Sequence, residues 1–394
     1  MKALLTSVNS NNTPSFYHQL PENIICFSHL RWDFVFQRPQ QILTRFSKNF
    51  KIVFIEEPIF DTEGDAYYNH LECGENLQVM IPHLPKNLDT ERSTLQLKGL
   101  FDLFVRGKVL SNYCFWYYTP MALEFSRKHQ PELIVYDCMD ELSAFKFAPE
   151  SLKDLEKELL KKADIVFTGG QSLYQSKKNQ HSNIHPIPSS IDRNHFESAR
   201  KLRSASDEKM KAAHLTLGFY GVIDERFDIE LIRGIAGLRA NWQIKLIGPI
   251  VKIDPQTLPK NDNIHYLGPK SYQELPSHLA SWDYALIPFL LNESTRFISP
   301  TKTPEYLAAG VPVISTPIRD VIDPYGKNKL VSIGRTAEEF VMKIEERRKS
   351  LDKNVWQKKV DDFLMQNSWD NTCSRMLNLM SKTIADRSMS SIAQ

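Results

Sequence analysis

Apolar positions fall along this chain in short solid runs, and between the runs lie stretches with one apolar face. Asn23 to Leu30, N-I-I-C-F-S-H-L, reads as a buried strand ending in polar residues. R-P-Q-Q-I-L-T-R-F then has helical spacing, and K-I-V-F-I-E-E-P is a second strand. L-I-V-Y-D-C-M-D-E-L and A-D-I-V-F-T-G-G repeat the alternation, with a charged helix over Ser151–Lys162 between them. After a charged stretch the pattern restarts with L-T-L-G-F-Y-G, W-Q-I-K-L-I-G-P, N-I-H-Y-L-G, Y-A-L-I-P-F and K-L-V-S-I-G. Solid apolar strands alternating with amphipathic helices predict parallel sheets covered on both faces, an α/β fold. Phe60 to Lys98 reads as polar and irregular, and Glu197 to His214 as a linker.

The segment from Thr295 to Thr316, T-R-F-I-S-P-T-K-T-P-E-Y-L-A-A-G-V-P-V-I-S-T, carries the densest set of local signals. Ser299, Thr301 and Thr303 are candidate caps, and Pro304 places the helix start between Lys302 and Pro304. Gly310 suits the left-handed residue after the helix, and Val311–Thr316 suits a buried strand. Lys302 and Glu305 then fall in a first helical turn. Free amides and a lysine there suit a phosphate, and a carboxylate beside them suits a vicinal diol such as a ribose. An ordinary capped helix with Glu305 balancing its dipole is the alternative reading.

Length divides the chain. With 394 residues it exceeds one ordinary core. Residues 1–200, residues 213–364 and a returning helix over residues 365–394 are the expected parts. A net charge of +2 gives no reason to expect a nucleic-acid partner. Five scattered cysteines without C-x-x-C spacing point to a reducing compartment and away from a zinc site. The first twelve residues hold too short an apolar core for a signal peptide, and no apolar run is long enough to span a bilayer. A cytoplasmic location follows as the expectation. Leu97–Tyr118, with Lys98, Arg106 and Lys108, has two readings: an amphipathic helix in peripheral contact with the inner membrane face, or a core helix running into a strand.

Ligands in parallel sheets sit beyond the carboxyl ends of strands. His29, Arg31, Trp32 and Arg38 follow the first strand, and Asp137, Asp140 and Glu141 follow L-I-V-Y. Asp137, Asp140 and His29 are the candidates to take or orient a hydroxyl proton. Arg31, Trp32, Arg38 and Glu141 are candidate acceptor contacts. Capping or core roles are the alternatives for each. D-C-M-D is not D-x-D, so no metal is expected.

Four stretches together resemble the bacterial GT-B glycosyltransferases, specifically the retaining enzymes of cell-surface polysaccharide synthesis that carry an E-x7-E motif. They are S-H-L-R-W-D-F-V-F-Q-R-P-Q, Y-D-C-M-D-E-L, F-Y-G-V-I-D-E-R and S-P-T-K-T-P-E-Y-L-A-A-G. The resemblance implies two Rossmann-like domains facing a cleft, with a nucleotide-sugar as donor substrate, no cofactor, and a saccharide or lipid-linked saccharide as acceptor. It implies donor contacts from Arg226, Lys302, Glu305, Ser299, Thr301 and Thr303, with Glu305 on the ribose. The chain departs from the pattern in two places. Phe297 stands where the motif has its first Glu, and Val222 stands at the usual Arg position, leaving Arg226 where a Lys is expected. A nucleotide-sugar 2-epimerase of this fold and a non-catalytic sugar-binding partner are the other readings.

Overall fold

In the computed structural model, which describes residues 20–206 and 214–392, the strands assemble into two sheets. The first holds β1 (Asn23–Phe27), β2 (Lys51–Ile55), β3 (Ile59–Thr62), β4 (Tyr67–Gly74), β5 (Leu77–Pro85), β6 (Tyr113–Tyr117), β7 (Leu133–Cys138), β8 (Ile165–Thr168) and β9 (Ile184–Pro186). Its order is β3-β5-β2-β1-β6-β7-β8-β9, with β4 antiparallel on β5. The second holds β10 (Thr216–Tyr220), β11 (Gln243–Ile247), β12 (Ile264–Tyr266), β13 (Tyr284–Ile287), β14 (Val313–Ser315) and β15 (Val331–Ile333). Its order, β12-β11-β10-β13-β14-β15, is the doubly wound arrangement, and every pairing is parallel. In both sheets the order reverses beside the first strand. Crevices therefore open beyond β1 and β6 in one domain, and beyond β10 and β13 in the other.

The solid apolar strands are solid because both faces are covered. In β1, Ile24 and Cys26 face one core cluster while Ile25 and Phe27 face another. In β6, Cys114 and Trp116 alternate with Phe115 and Tyr117 in the same way. The terminal helix Trp369–Ile392 supplies Trp369, Cys373 and Met376 to the first of these clusters. Among the described residues no helix is long and apolar enough to cross a membrane.

Three expectations change. Phe60–Lys98 is ordered: β3, the β4–β5 hairpin and the start of the helix Thr90–Val105 occupy it. Pro82 and Pro85 inside β5, and the exposed polar face of β4, hide the strands from a pattern search. The F-W-Y-Y end of Leu97–Tyr118 lies in and just after the central strand β6 and is fully buried, so it is closed to any membrane. The helix before it buries Phe101 and Val105 and exposes Leu95 and Leu103. Glu197–Ser206 is not linker but part of the helix Arg193–Ser206, because Phe196 and Ala199 are wholly buried in the core of the second domain. Residues 207–213 of the expected linker lie outside the described residues.

Candidate functional site

The carboxyl end of β10 opens into a cavity of about 580 Å³ that reaches across the cleft. Tyr220 closes the strand and Gly221 turns the chain at φ +145°. Only glycine serves there: a Cβ would stand 2.5 Å from the Lys302 Cε. The helix Lys302–Ala308 presents Lys302 and Glu305 to the same cavity, and Ser299, Thr301 and Arg226 also line it. Thr301 is the cap residue, and its side chain makes no capping bond. The helix has seven residues, fewer than two turns, so its dipole is short and the charges of Lys302 and Arg226 dominate. Thr303 leaves the candidate set: it is fully buried, lines neither cavity described here, and its hydroxyl has no partner.

Electrostatics tighten this wall. Burial pushes the Glu305 carboxyl up to about 7, against the pull of the Tyr220 hydroxyl that donates to it and of Lys302. Burial also lowers the Lys302 ammonium from its ordinary value, with Glu305 opposing that shift. Arg226 is held by Asp224, with Nη2 to Oδ2 at 2.6 Å and Nε to Oδ1 at 3.1 Å, and its guanidinium lies 5.1 Å from the centre of the Phe145 ring. Asp140 lines the cavity from the first domain. Burial raises its carboxyl to about 6, with Arg226 and Lys302 the principal opposing charges. Among the described residues no group of three or more His, Cys, Asp or Glu side chains is placed to hold a metal ion.

The candidates of the first domain do not converge on one point. Asp137 is 0% exposed and Arg38 1% exposed, and the two are locked together. Arg38 donates through Nη2 to Oδ1 at 2.8 Å and through Nε to Oδ2 at 3.0 Å, while its Nη1 donates to the Ile187 carbonyl at 2.7 Å. Asp137 lines neither cavity, so a proton-transfer role for it is withdrawn: no hydroxyl of an acceptor reaches it. Arg31 is likewise structural, donating to Glu56 at 2.9 Å and to the Glu57 carbonyl at 2.6 Å. Glu141 pairs with the buried Lys177 at 2.9 Å. Trp32 and Arg38 touch the first cavity, the latter only with the margin its ion pair leaves free. His29 lies at a second cavity, on the first sheet.

Several residues of the site escaped the sequence reading. Tyr272 stacks on His195 with ring centres 4.2 Å apart, meets Phe36 of the first domain at 4.8 Å and accepts from the Gln41 amide at 3.1 Å. Those partners are far apart in the chain, so only folding reveals them. Tyr220 has a local signal: it stands directly before a glycine at a strand end, in L-G-F-Y-G. Phe297 packs against the core of the first domain and does not line the cavity, and Arg296 sits 5.2 Å over its ring. Glu293, the nearest acid, is exposed and turned to Arg296. Across the cleft, Asp320 accepts from the Ser172 amide at 3.0 Å and from its hydroxyl. A Cβ on Gly170 would meet the Asp320 carboxylate at 2.2 Å, so glycine is needed for this close approach.

Two doubly wound domains with facing switch-point cavities define the GT-B architecture of glycosyltransferases. Solved structures agree on the fold. Sucrose-phosphate synthase from Thermosynechococcus elongatus superposes with a TM-score of 0.72 at 13% identity, covering 93% of this chain and 100% of that one. WaaG, a glycosyltransferase involved in lipopolysaccharide biosynthesis, gives 0.62 at 11% identity over 91% and 99%. A trehalose-6-phosphate structure from E. coli bound with UDP-2-fluoro glucose gives 0.65 at 10% over 91% and 99%. Residues 216–348, the bulk of the second domain, match the family model described as glycosyl transferases group 1. The chain is also 22% identical over 219 residues to TuaH of Bacillus subtilis (strain 168), a protein named for a glycosyltransferase role in teichuronic acid biosynthesis. That match takes in 52% of this chain and about half, 55%, of the relative.

Proposed function

We propose that this protein is a glycosyltransferase of cell-surface polysaccharide synthesis. It moves a sugar from a nucleoside-diphosphate sugar to a saccharide or lipid-linked saccharide, with retention and without a metal ion. One observation carries the reading: Lys302, Arg226 and Glu305 share one wall of a cavity at the switch point of the second sheet. The group 1 domain over residues 216–348 supports it, as do the names of TuaH and WaaG. Lys302 and Arg226 meet the diphosphate, and Glu305 meets the ribose hydroxyls. When the bond from the anomeric carbon to the diphosphate oxygen breaks, its electron pair stays on the diphosphate, where the two cations stabilise it. The acceptor oxygen forms the new bond to that carbon. Its proton passes to Asp140, which lines the same cavity and whose carboxyl is raised to about 6 by burial. Asp140 stands close to the cations that receive the leaving group. Proton removal and departure on one face fit retention.

Thermal-shift and calorimetric titration with nucleoside diphosphates and nucleotide-sugars tests this. A specific ligand at a hundredfold excess over its Kd adds about 2.7 kcal/mol of stability. No response to any of them removes the reading. Consumption of donor without acceptor, followed by NMR, points to the epimerase instead.

A further inference from the structure

One buried charge cluster of the first domain stands apart from both cavities. Lys177 is 3% exposed and closes the helix Gln171–Lys177. Its ammonium lies 2.9 Å from a Glu141 carboxylate oxygen and 2.8 Å from one of Glu156. The Tyr136 hydroxyl donates to Glu156 at 2.7 Å, and the Ser143 hydroxyl donates to Glu141 at 2.9 Å. Burial pushes the Tyr136 hydroxyl and the neighbouring Cys138 thiol well above their ordinary ranges, so both stay neutral. Two carboxylates against one ammonium leave the cluster with an excess negative charge, and a buried ion pair is a weak source of stability. None of Lys177, Glu141 and Glu156 lines either cavity.

What the cluster does reach is the loop that carries Asp140. Its neighbours in that loop are all tied down. Asp137 is locked by Arg38. The Cys138 carbonyl accepts from the Gly169 amide at 2.8 Å, and the Cys138 thiol donates to the Asp140 carbonyl at 3.6 Å. The Met139 backbone lies so close to Gly169 that a Cβ there would stand 2.4 Å from its carbonyl oxygen. Glu141 is held by Lys177. The helix that carries Lys177 is itself fixed at its start, where Asp320 of the second domain accepts from the Ser172 amide. Asp140 differs from its neighbours. It lines the first cavity, yet among the described residues no hydrogen bond or ion pair holds its carboxylate. Arg226, Lys302, Arg38 and Asp224 act on it through space. The loop backbone therefore places this side chain, and the backbone is fixed by the residues on either side.

We infer that Lys177, acting through Glu141, is a positioning residue that holds Asp140 in the cleft opposite Lys302 and Arg226. This rests on the reading of Asp140 as the proton acceptor and names what keeps that carboxylate in place. A misplacement of about 1 Å can cost about a hundredfold in rate. Burial is what raises the Asp140 carboxyl to about 6. A released loop lets water reach it, and the value then falls towards about 4, that of an ordinary aspartate.

Carbon NMR of protein labelled at the aspartate carboxyl carbons decides it, with Asp140→Asn assigning the resonance. In the parent the Asp140 signal is expected to titrate at about 6. Glu141→Ala removes the pin and leaves Lys177 paired with Glu156, so the buried ammonium keeps a partner. In that variant the titration is expected to move down by about one pH unit or more. Turnover per folded molecule, followed with the nucleotide-sugar that the calorimetric panel selects, is expected to fall about tenfold or more. Glu141→Gln still accepts from Lys177 and is expected to keep both properties near the parent. Lys177→Met is expected to shift the titration in the same direction, at a lower melting temperature because two carboxylates lose their cation. An unchanged Asp140 titration in Glu141→Ala overturns the proposal, whatever the melting temperature does. So does a Glu141→Gln variant as impaired as Glu141→Ala. Parent turnover in Asp140→Asn is instead a failure of the proton-acceptor reading. The two failures are told apart because the carboxyl titration is read without turnover.

Discussion

Replacing Asp137 by Asn separates the two accounts of this residue most sharply. As a base at a strand end, Asp137 would lose turnover and keep its stability. The structure reverses that expectation. Arg38 and Asp137 are 2% and 0% exposed in their side chains and share contacts at 2.8, 3.0 and 3.2 Å. Asn keeps one acceptor oxygen but turns its amide donors towards a guanidinium that has none to accept them. The guanidinium stays charged and buried, with one side-chain oxygen and the Ile187 carbonyl as its remaining partners. Breaking a buried pair from one side costs about 3–5 kcal/mol. With a urea slope of about 3 kcal/mol per molar for a domain of this size, the unfolding midpoint of the first domain should fall by about 1–1.7 M. Urea unfolding followed by near-UV circular dichroism measures it. Donor affinity and turnover per folded molecule should stay near the parent values. Arg38→Met with Asp137→Leu should recover much of the loss, since apolar replacement of a buried pair is often neutral. A single Asn variant with an unchanged midpoint and turnover lowered a hundredfold would refute the assignment and return Asp137 to the mechanism.

Asp140→Asn should lower turnover by about 10²–10⁴ while nucleoside diphosphate binds as well or slightly better, because a negative charge beside Arg226 and Lys302 is gone; stopped assays with calorimetry check both. Lys302→Ala and Arg226→Ala should each weaken nucleoside diphosphate by about 1.5–3 kcal/mol, and unchanged affinity in both would remove the donor wall. Glu305 is raised to about 7, so affinity for ribose-bearing nucleotides should climb from about pH 6 to about pH 8 as the carboxylate forms, and Glu305→Gln should flatten that climb. Tyr220→Phe removes a bond that lowers the Glu305 value, so it should move the climb to higher pH. Turnover should survive EDTA within about threefold, and full loss restored by magnesium or manganese would overturn the leaving-group chemistry.

Much of this protein was readable locally. Solid apolar runs mark strands covered on both faces, because burial on both sides leaves no polar alternation. The helix at Lys302 follows from cap residues, proline placement and Gly310, which does take a left-handed φ of +71°. These are short-range rules, and they place Lys302 and Glu305 in one helical turn, whereas Arg226 joins them only through the family resemblance. What they could not decide was which polar group at a strand end faces a ligand and which faces the protein. Asp137 and Asp140 lie three positions apart, yet one is sealed against Arg38, ninety-nine residues earlier, and the other looks into the cleft. That choice depends on partners supplied by distant segments. The same holds for Phe297, which packs into the core of the other domain, and for Tyr272, held between His195 and Phe36. The desolvation that raises Glu305 and Asp140 is also a property of the closed cleft and not of any segment. Local sequence thus determined the elements and the shared helical turn of Lys302 and Glu305. Tertiary packing decided burial, and with it which charges hold the fold and which are left to work.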